Sequence, residues 1–421
     1  MKLAVVGGGS TYTPELVDGV ARLADTLPVS ELVLVDPDEH RLERVGGVSA
    51  RIMAAYGHPA TVRGTTNLDD GLDGAGAVLL QLRIGGQAAR HRDETWPLDC
   101  GCVGQETTGA GGFAKALRTV PVVLDIAERA RKLAAKDAWI VDFTNPVGIV
   151  TRALLDAGHR AVGLCNVAIG FQRRFAAALG VEPERVTLGH VGLNHLTWER
   201  SVLVDGVDRL PELLDGGGEE IADAIGQPVE LIRRLGVVPS YYIRYYWQHD
   251  QVVEHQRGEP TRAEVVAGYE KELLDMYADP KLDHKPELLS KRGGAFYSEA
   301  AVNLLASLTS NAGDTQVVNL RNNGSLPFLP DDAVIEVPAT ITSDGPVALP
   351  ISPVEPLYRG LISAVTAYEE LAVAAALHGG RDRVFDALLA HPLIGQVDIA
   401  DKLTDRLMAE NDKYLPWVTT S

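Results

Sequence analysis

Residues 2–16, KLAVVGGGSTYTPEL, constrain the fold of this chain more than any other stretch. A short continuous apolar run of the kind that buried parallel strands show leads straight into glycines, and the glycines into a segment with helical spacing. Strand, glycine turn and helix, in that order, make a phosphate-binding turn. Gly7 and Gly9 fill the first two positions of a G-x-G-x-x-G dinucleotide fingerprint, Tyr12 replaces its third glycine, and Ser10 and Thr11 complete the candidate cofactor contacts. The next apolar run, ELVLVD, ends at Asp36, 27 residues after Gly9, somewhat beyond the usual spacing of about 20. An acid there favours the free ribose hydroxyl of NAD over the phosphate of NADP.

The pattern repeats through GAVLLQL (76–82), AWIVDF (138–143) and RAVGLC (160–165), with helical stretches between them at 38–55 and around Val123, Ile126, Ala127, Ala130 and Ala134. Strands alternating with helices predict an α/β fold built on a doubly wound, Rossmann-like parallel sheet. At 421 residues the chain exceeds what one core ordinarily serves, about 250–300 residues, so a second lobe is expected. The division falls at 170: residues 1–170 as the NAD-binding domain and 171–421 as a mixed α+β lobe for catalysis, substrate and oligomerisation.

Charge narrows the partners. With 39 basic against 57 acidic residues, a net −18, and no basic patch, the chain would repel nucleic acid and anionic membranes. Three cysteines argue against a disulfide scaffold and for a reducing compartment, taken as the cytoplasm. The opening MKLAVVGGGS is not a signal peptide, and no later apolar stretch reads as long enough to cross a bilayer.

Ligands of such sheets sit beyond the carboxyl ends of the strands. Polar groups that packing does not need gather there: Arg83 in LQLRIGG, Asn145 in DFTNP, and Cys165 with Asn166 in GLCN. Further on, two β-runs flank GLNH, with His195 after Asn194. A thiolate and an imidazole suit a divalent ion with open positions, but a lone cysteine is more often a small hydrophobe and a lone histidine a satisfied turn residue. Residues 207–280 read as mainly helical, with the aromatic segment Tyr241, Tyr242, Tyr245, Tyr246 and Trp247 as a core stripe from which one or two tyrosines line the cleft. Lys291 and Arg292, before two glycines, read either as an anion site at a helix N-terminus or as an exposed basic pair.

Taken together, GGGSTYTPEL, RIGGQAARHRDE, GQETTGAGG, FTNP, GLCN, GLNH, KRGGA and VNLRNNGSLPFLPDDAVIEVP resemble family four of the glycoside hydrolases, the NAD- and manganese-dependent glycosidases. The resemblance implies hydrolysis of a 6-phospho-β-glucoside, a phosphorylated disaccharide or an aryl glucoside. In that chemistry NAD transiently oxidises the sugar at carbon 3, a base takes the proton of carbon 2, the aglycone leaves and water adds. It implies Cys165 and His195 as metal ligands, Asn145 as a substrate contact and Asn166 as a residue at the reacting hydroxyls. It further implies Tyr242, placed by its Pro-Ser-x-Tyr spacing, as the base. Arg83, Arg90, Glu106 and Arg292 follow as substrate-cleft residues, with a homodimer or homotetramer as the assembly. Asn166 resembles the β-specific members, whereas Ala168 stands where those enzymes commonly carry proline. The rivals are an α-specific or non-phosphorylated-sugar enzyme of the same family, an NAD-dependent 2-hydroxy acid dehydrogenase, and an NAD-binding protein without turnover.

Overall fold

The computed structural model describes residues 1–293 and 296–418. Gly294 and Ala295 of the KRGGA segment lie outside them. The repeating apolar runs form β1 (Lys2–Val6), β2 (Glu31–Val35), β3 (Thr61–Thr65), β4 (Ala77–Leu80), β5 (Trp139–Asp142) and β6 (Ala161–Gly163). They lie side by side in the order β3-β2-β1-β4-β5-β6, all parallel. The order reverses between β1 and β4, and there the doubly wound fold opens its ligand crevice. β1, β4 and β5 are buried almost throughout because helices cover both faces.

The second half of the chain adds to this sheet and builds another. Strands β7 (Val186–Leu193), β8 (Leu196–Val204), β9 (Val207–Asp208) and β10 (Val238–Pro239) form a small antiparallel sheet whose tight turn is Asn194–His195. It closes over a separate core that includes Phe171, Phe175, Leu213 and Ile221. Strands β11 (Thr315–Arg321), β12 (Val334–Thr342) and β13 (Gly345–Ala348) then extend the large sheet antiparallel from its β6 edge. The join is tight: Asn319 of β11 pairs with Gly163, where an added Cβ would lie 2.9 Å from the Asn319 Cβ. The nine-stranded sheet therefore spans the division drawn at residue 170.

Two sequence expectations need correction. The helix expected after the two glycines is present as Tyr297–Ser310, but Lys291 and Arg292 belong to the last turn of a separate short helix, Leu288–Arg292, which Gly293 stops with φ 92°. A helix C-terminus attracts cations rather than anions, so the basic pair does not sit at the anion-binding end of a helix. The expectation that no stretch is long enough for a membrane also fails, because helix Pro356–His378 qualifies by length and composition alone. One side of it faces the protein core, where Ile362, Val365, Ala372, Val373 and Ala376 are buried against helices Gly109–Leu133 and Arg381–Ala390, while Leu357 and Leu377 stay exposed.

Candidate active site

A cleft of about 850 Å³ runs along the carboxyl edge of the parallel strands. One end is the glycine turn. Gly7 has φ 86°, and a Cβ there would come within 2.7 Å of the Gln81 carbonyl oxygen; at Gly8 a Cβ would lie 2.7 Å from the Leu34 Cα. The turn thus presses on the sheet with no room for side chains, and the N–H groups of Gly7 and Gly8 both donate to the Val35 carbonyl. Gly8, the middle of the three glycines, is as constrained as the two the fingerprint singled out. Asp36 accepts hydrogen bonds from the Gly9 N–H at 3.1 Å and from the Asp38 N–H at 3.0 Å, and burial raises its carboxyl above the usual range.

The second half of the chain reaches this turn. Arg292 donates to Thr11 Oγ1 at 2.7 Å and to Glu270 at 2.9 Å, with Ser10 Oγ at 3.4 Å, while the Tyr277 hydroxyl donates to the Thr11 carbonyl at 2.7 Å. Gly7, Ser10, Asp36 and Arg292 line the cleft; Thr11 is fully buried beneath it.

The middle of the cleft holds the groups at the ends of β5, β6 and β7. Cys165 caps the helix Asn166–Leu179, so the first N–H groups of that helix lie beside its sulfur, and the Val167 N–H, the Tyr297 hydroxyl and the Asn194 side chain are within hydrogen-bonding reach. Those donors favour a thiolate; burial and the nearby Glu336 carboxylate outweigh them without a cation and push the thiol up. His195 sits in the Asn194 turn with φ 62°, a left-handed conformation that a non-glycine residue adopts at a cost. Its ring stacks on Tyr242, centroids 3.8 Å apart and planes 10° from parallel. Burial lowers its pKa to about 4, which keeps the imidazole neutral and able to ligate. His195 Nδ1 and Asn145 Oδ1 are both buried without a hydrogen-bond partner. Orphaned buried acceptors of this kind ask for a ligand, and a thiol, an imidazole nitrogen and an amide oxygen are a donor set that fits a divalent metal. Among the described residues no cluster of three or more His, Cys, Asp or Glu side chains could hold an ion, so open positions would fall to substrate oxygens.

At the far wall Glu106 is fully enclosed by three cations: Lys115 at 2.7 Å, Arg90 at 3.1 Å and Arg83. Burial raises its carboxyl, but Arg83, Lys115 and Arg90 together hold it well below the usual range. Arg90 also pairs with Glu94 at 2.7 Å. Lys115, nine residues after Glu106, escaped the sequence reading because nothing local distinguishes it from a solvated helix residue. Here burial brings its pKa down to about 8. Of the two adjacent tyrosines, Tyr242 faces His195, whereas Tyr241 is 39% exposed with the Arg244 guanidinium 4.3 Å over its ring. Burial, then the neighbouring Cys165 and Tyr245, raise the Tyr242 phenol far above its ordinary value.

The sequence analysis also missed a buried relay behind the Asn194–His195 turn. His190 lies between Glu199, 2.5 Å from Nδ1, and Glu336, 3.0 Å from Nε2. The second Glu336 oxygen accepts from Asn194 at 3.0 Å and Asn319 at 2.9 Å. The one signal available was an acid in the otherwise apolar run AVIEVPA.

Comparison with known proteins places this arrangement. Residues 2–181 match "Family 4 glycosyl hydrolase" and residues 190–394 match "Family 4 glycosyl hydrolase C-terminal domain". The chain is 39% identical to a probable 6-phospho-beta-glucosidase of Bacillus subtilis, over 99% of this chain and 97% of that protein. It is 29% identical to the phospho-alpha-glucosidase PagL of Clostridium acetobutylicum, over 98% of each. Its fold matches the structure of the 6-phospho-beta glucosidase from Thermotoga maritima with manganese, NAD+ and glucose-6-phosphate at a TM-score of 0.92, with 33% identity and 99% of each chain covered. Full-length similarity and two consecutive domain matches make this chain a member of family 4 of the glycosyl hydrolases.

Proposed function

We propose that this protein hydrolyses 6-phospho-β-glucosides with bound NAD and a divalent metal, manganese in the simplest case. The observation that carries the reading is the meeting of the unpartnered His195 Nδ1 and Asn145 Oδ1 with the Tyr242 ring, Cys165 buried beside it, in a cleft that also takes in the glycine turn. The relatives support it: the Thermotoga maritima protein is described with manganese, NAD+ and glucose-6-phosphate, and identity is higher to β-named than to α-named relatives. Asn166, directly after Cys165, agrees with the β class.

The chain's residues take the following roles. Gly7, Gly8, Gly9 and Ser10 receive the dinucleotide, and Asp36 its ribose. Bound NAD supplies reversible oxidation of a sugar hydroxyl, which makes the neighbouring C–H acidic, and a metal held by Cys165 and His195 supplies Lewis-acid stabilisation of the charge that develops. Tyr242 removes the carbon 2 proton. Arg90, whose guanidinium interacts with the Tyr242 oxygen, favours the phenolate that burial otherwise opposes. Asn145 and Asn166 hold the sugar hydroxyls. Arg83 and Arg90, with Lys115, carry more positive charge than Glu106 and Glu94 cancel, and that surplus meets the sugar phosphate. Arg292 spends its donors on Thr11, Ser10 and Glu270, and we assign it to holding the glycine turn.

All three cysteines are free, which suits the cytoplasm. Exposed Leu357, Leu377 and Val397 offer apolar surface for a homodimer or homotetramer. The first 170 residues then act as the NAD domain and the remainder as the catalytic and assembly lobe.

The test is hydrolysis of 4-nitrophenyl β-D-glucoside 6-phosphate with NAD, manganese and a thiol reductant, repeated with a chelator and with carbon-2-deuterated substrate. Activity should vanish with the chelator, slow with deuterium and leave no net NADH. Turnover that persists without NAD and metal sinks the proposal, and stoichiometric NADH release would favour a dehydrogenase.

A further inference from the structure

We infer that Glu336 is a positioning residue that sets the affinity of the Cys165–His195 site for a divalent cation, acting through Asn194 and held in place by His190 and Glu199. The inference rests on the metal-ligand reading of Cys165 and His195 given above.

Glu336 lies on β12, His190 on β7, Glu199 on β8 and Asn319 on β11, and all four side chains are buried, with Glu336 1% and His190 and Glu199 0% exposed. Each Glu336 oxygen has partners: His190 Nε2 at 3.0 Å on one, and the amides of Asn194 at 3.0 Å and Asn319 at 2.9 Å on the other. Asn194 is the pivot. Its side chain also reaches the Cys165 sulfur, and its chain neighbour is His195, held at φ 62°. One carboxylate therefore fixes the amide that touches one ligand and shapes the turn that carries the other. Coordinating groups held this way lose little freedom when the ion arrives.

Charge points the same way. Burial raises the Glu336 carboxyl, but His190, then Asn194 and Asn319, hold it below the usual range, so a negative charge stays one side chain behind the sulfur. Together with a Cys165 thiolate it makes two negative charges, the complement of a divalent ion. Glu336 is the nearer carboxylate, and its field reaches both Cys165 and His195.

The experiment titrates Mn2+ into metal-free protein with NAD present and follows free Mn2+ by electron paramagnetic resonance. The parent protein should bind one ion and Cys165→Ser should not; a parent that fails to bind overturns the metal reading and this inference with it. Given binding by the parent, Glu336→Gln should lower Mn2+ affinity by about 10–100-fold. Its thermal midpoint without metal should fall, because His190, Asn194 and Asn319 favour the carboxylate that glutamine lacks. Should Glu336→Gln fail to fold, Asn194→Ala removes the amide that joins Glu336 to Cys165, leaves the His190 contacts with Glu199 and Glu336 in place, and should show a similar loss. An affinity within tenfold of the parent in the folded variant leaves the metal site standing and overturns the role of Glu336.

Discussion

Tyr242 and His195 lie ring on ring, 3.8 Å between centroids, so one pair of side chains joins the proposed base to the proposed metal ligand. The stack needs the tyrosine ring, and the chemistry needs its oxygen. Tyr242→Phe separates the two: it keeps the ring that braces His195 and removes the group that takes the proton. Since a positioned base contributes about 10²–10⁴-fold, kcat should fall by that factor, with KM, NAD affinity and Mn2+ affinity within a few-fold of the parent. Tyr241→Phe, at a partly exposed ring held by Arg244, should leave kcat nearly unchanged. Steady-state kinetics on the two variants decides the assignment. The reverse ranking would move the base to Tyr241, and a small effect in both would remove the aromatic segment from the chemistry.

Among the elements, the glycine turn between β1 and helix Thr13–Arg22 tolerates least. Gly8 has ordinary φ, so strain is not its constraint; an alanine Cβ would press on the Leu34 Cα at 2.7 Å and the Val5 carbonyl at 2.9 Å, backbone atoms of two sheet strands that cannot yield independently. Gly8→Ala should cost about 1–3 kcal/mol of stability and displace the turn from the dinucleotide. A lower thermal midpoint together with a weaker NAD titration is the expected pair, and an unchanged NAD affinity would mean that the turn does not carry the cofactor. This element was readable in the chain because strand, turn and helix are local, and β1 to β6 followed from the same periodicity. The addition of β11–β13 was not readable. Nothing near Asn319 encodes its pairing with Gly163, more than a hundred residues earlier, because that partnership is set by the shape of the sheet edge. The site divided the same way. Cys165 stood out as a polar group ending an apolar strand and His195 as a turn residue, both made metal ligands by the family resemblance, whereas His190, Glu199 and Glu336 went unread until pairing of β7 with β8 and packing of β7 on β12 brought them together. The helix after the glycines was legible, whereas the short helix Leu288–Arg292 that ends at the basic pair was not, since glycines stop a helix as readily as they precede one.

At the scale of the molecule, helix Pro356–His378 ties the end of the chain to its beginning, packing on helices Gly109–Leu133 and Val147–Asp156 and against β7. Glu369 lies at that junction, buried, with Oε2 unpartnered and Oε1 close over Gly148 and beside Asn194. Burial is the main cause that raises its pKa from 4.5 to about 8; Glu336 adds to the shift, Arg152 opposes it, and Tyr246 and Tyr368 are the other titratable groups that face it. A carboxyl whose folded pKa lies above its unfolded one binds its proton more tightly in the native state, so the unfolded chain holds fewer protons throughout the window from 4.5 to about 8. Stability therefore falls as pH rises across that window and levels off above it. Glu369→Gln keeps the size of the side chain and abolishes the titration. Its thermal midpoint should nearly equal that of the parent at about pH 5 and exceed it increasingly toward pH 8, as measured by calorimetry in the absence of ligands. A midpoint difference that stays constant between those two pH values would show that Glu369 is not held protonated at the junction, and the pH response of the fold would then belong to other groups.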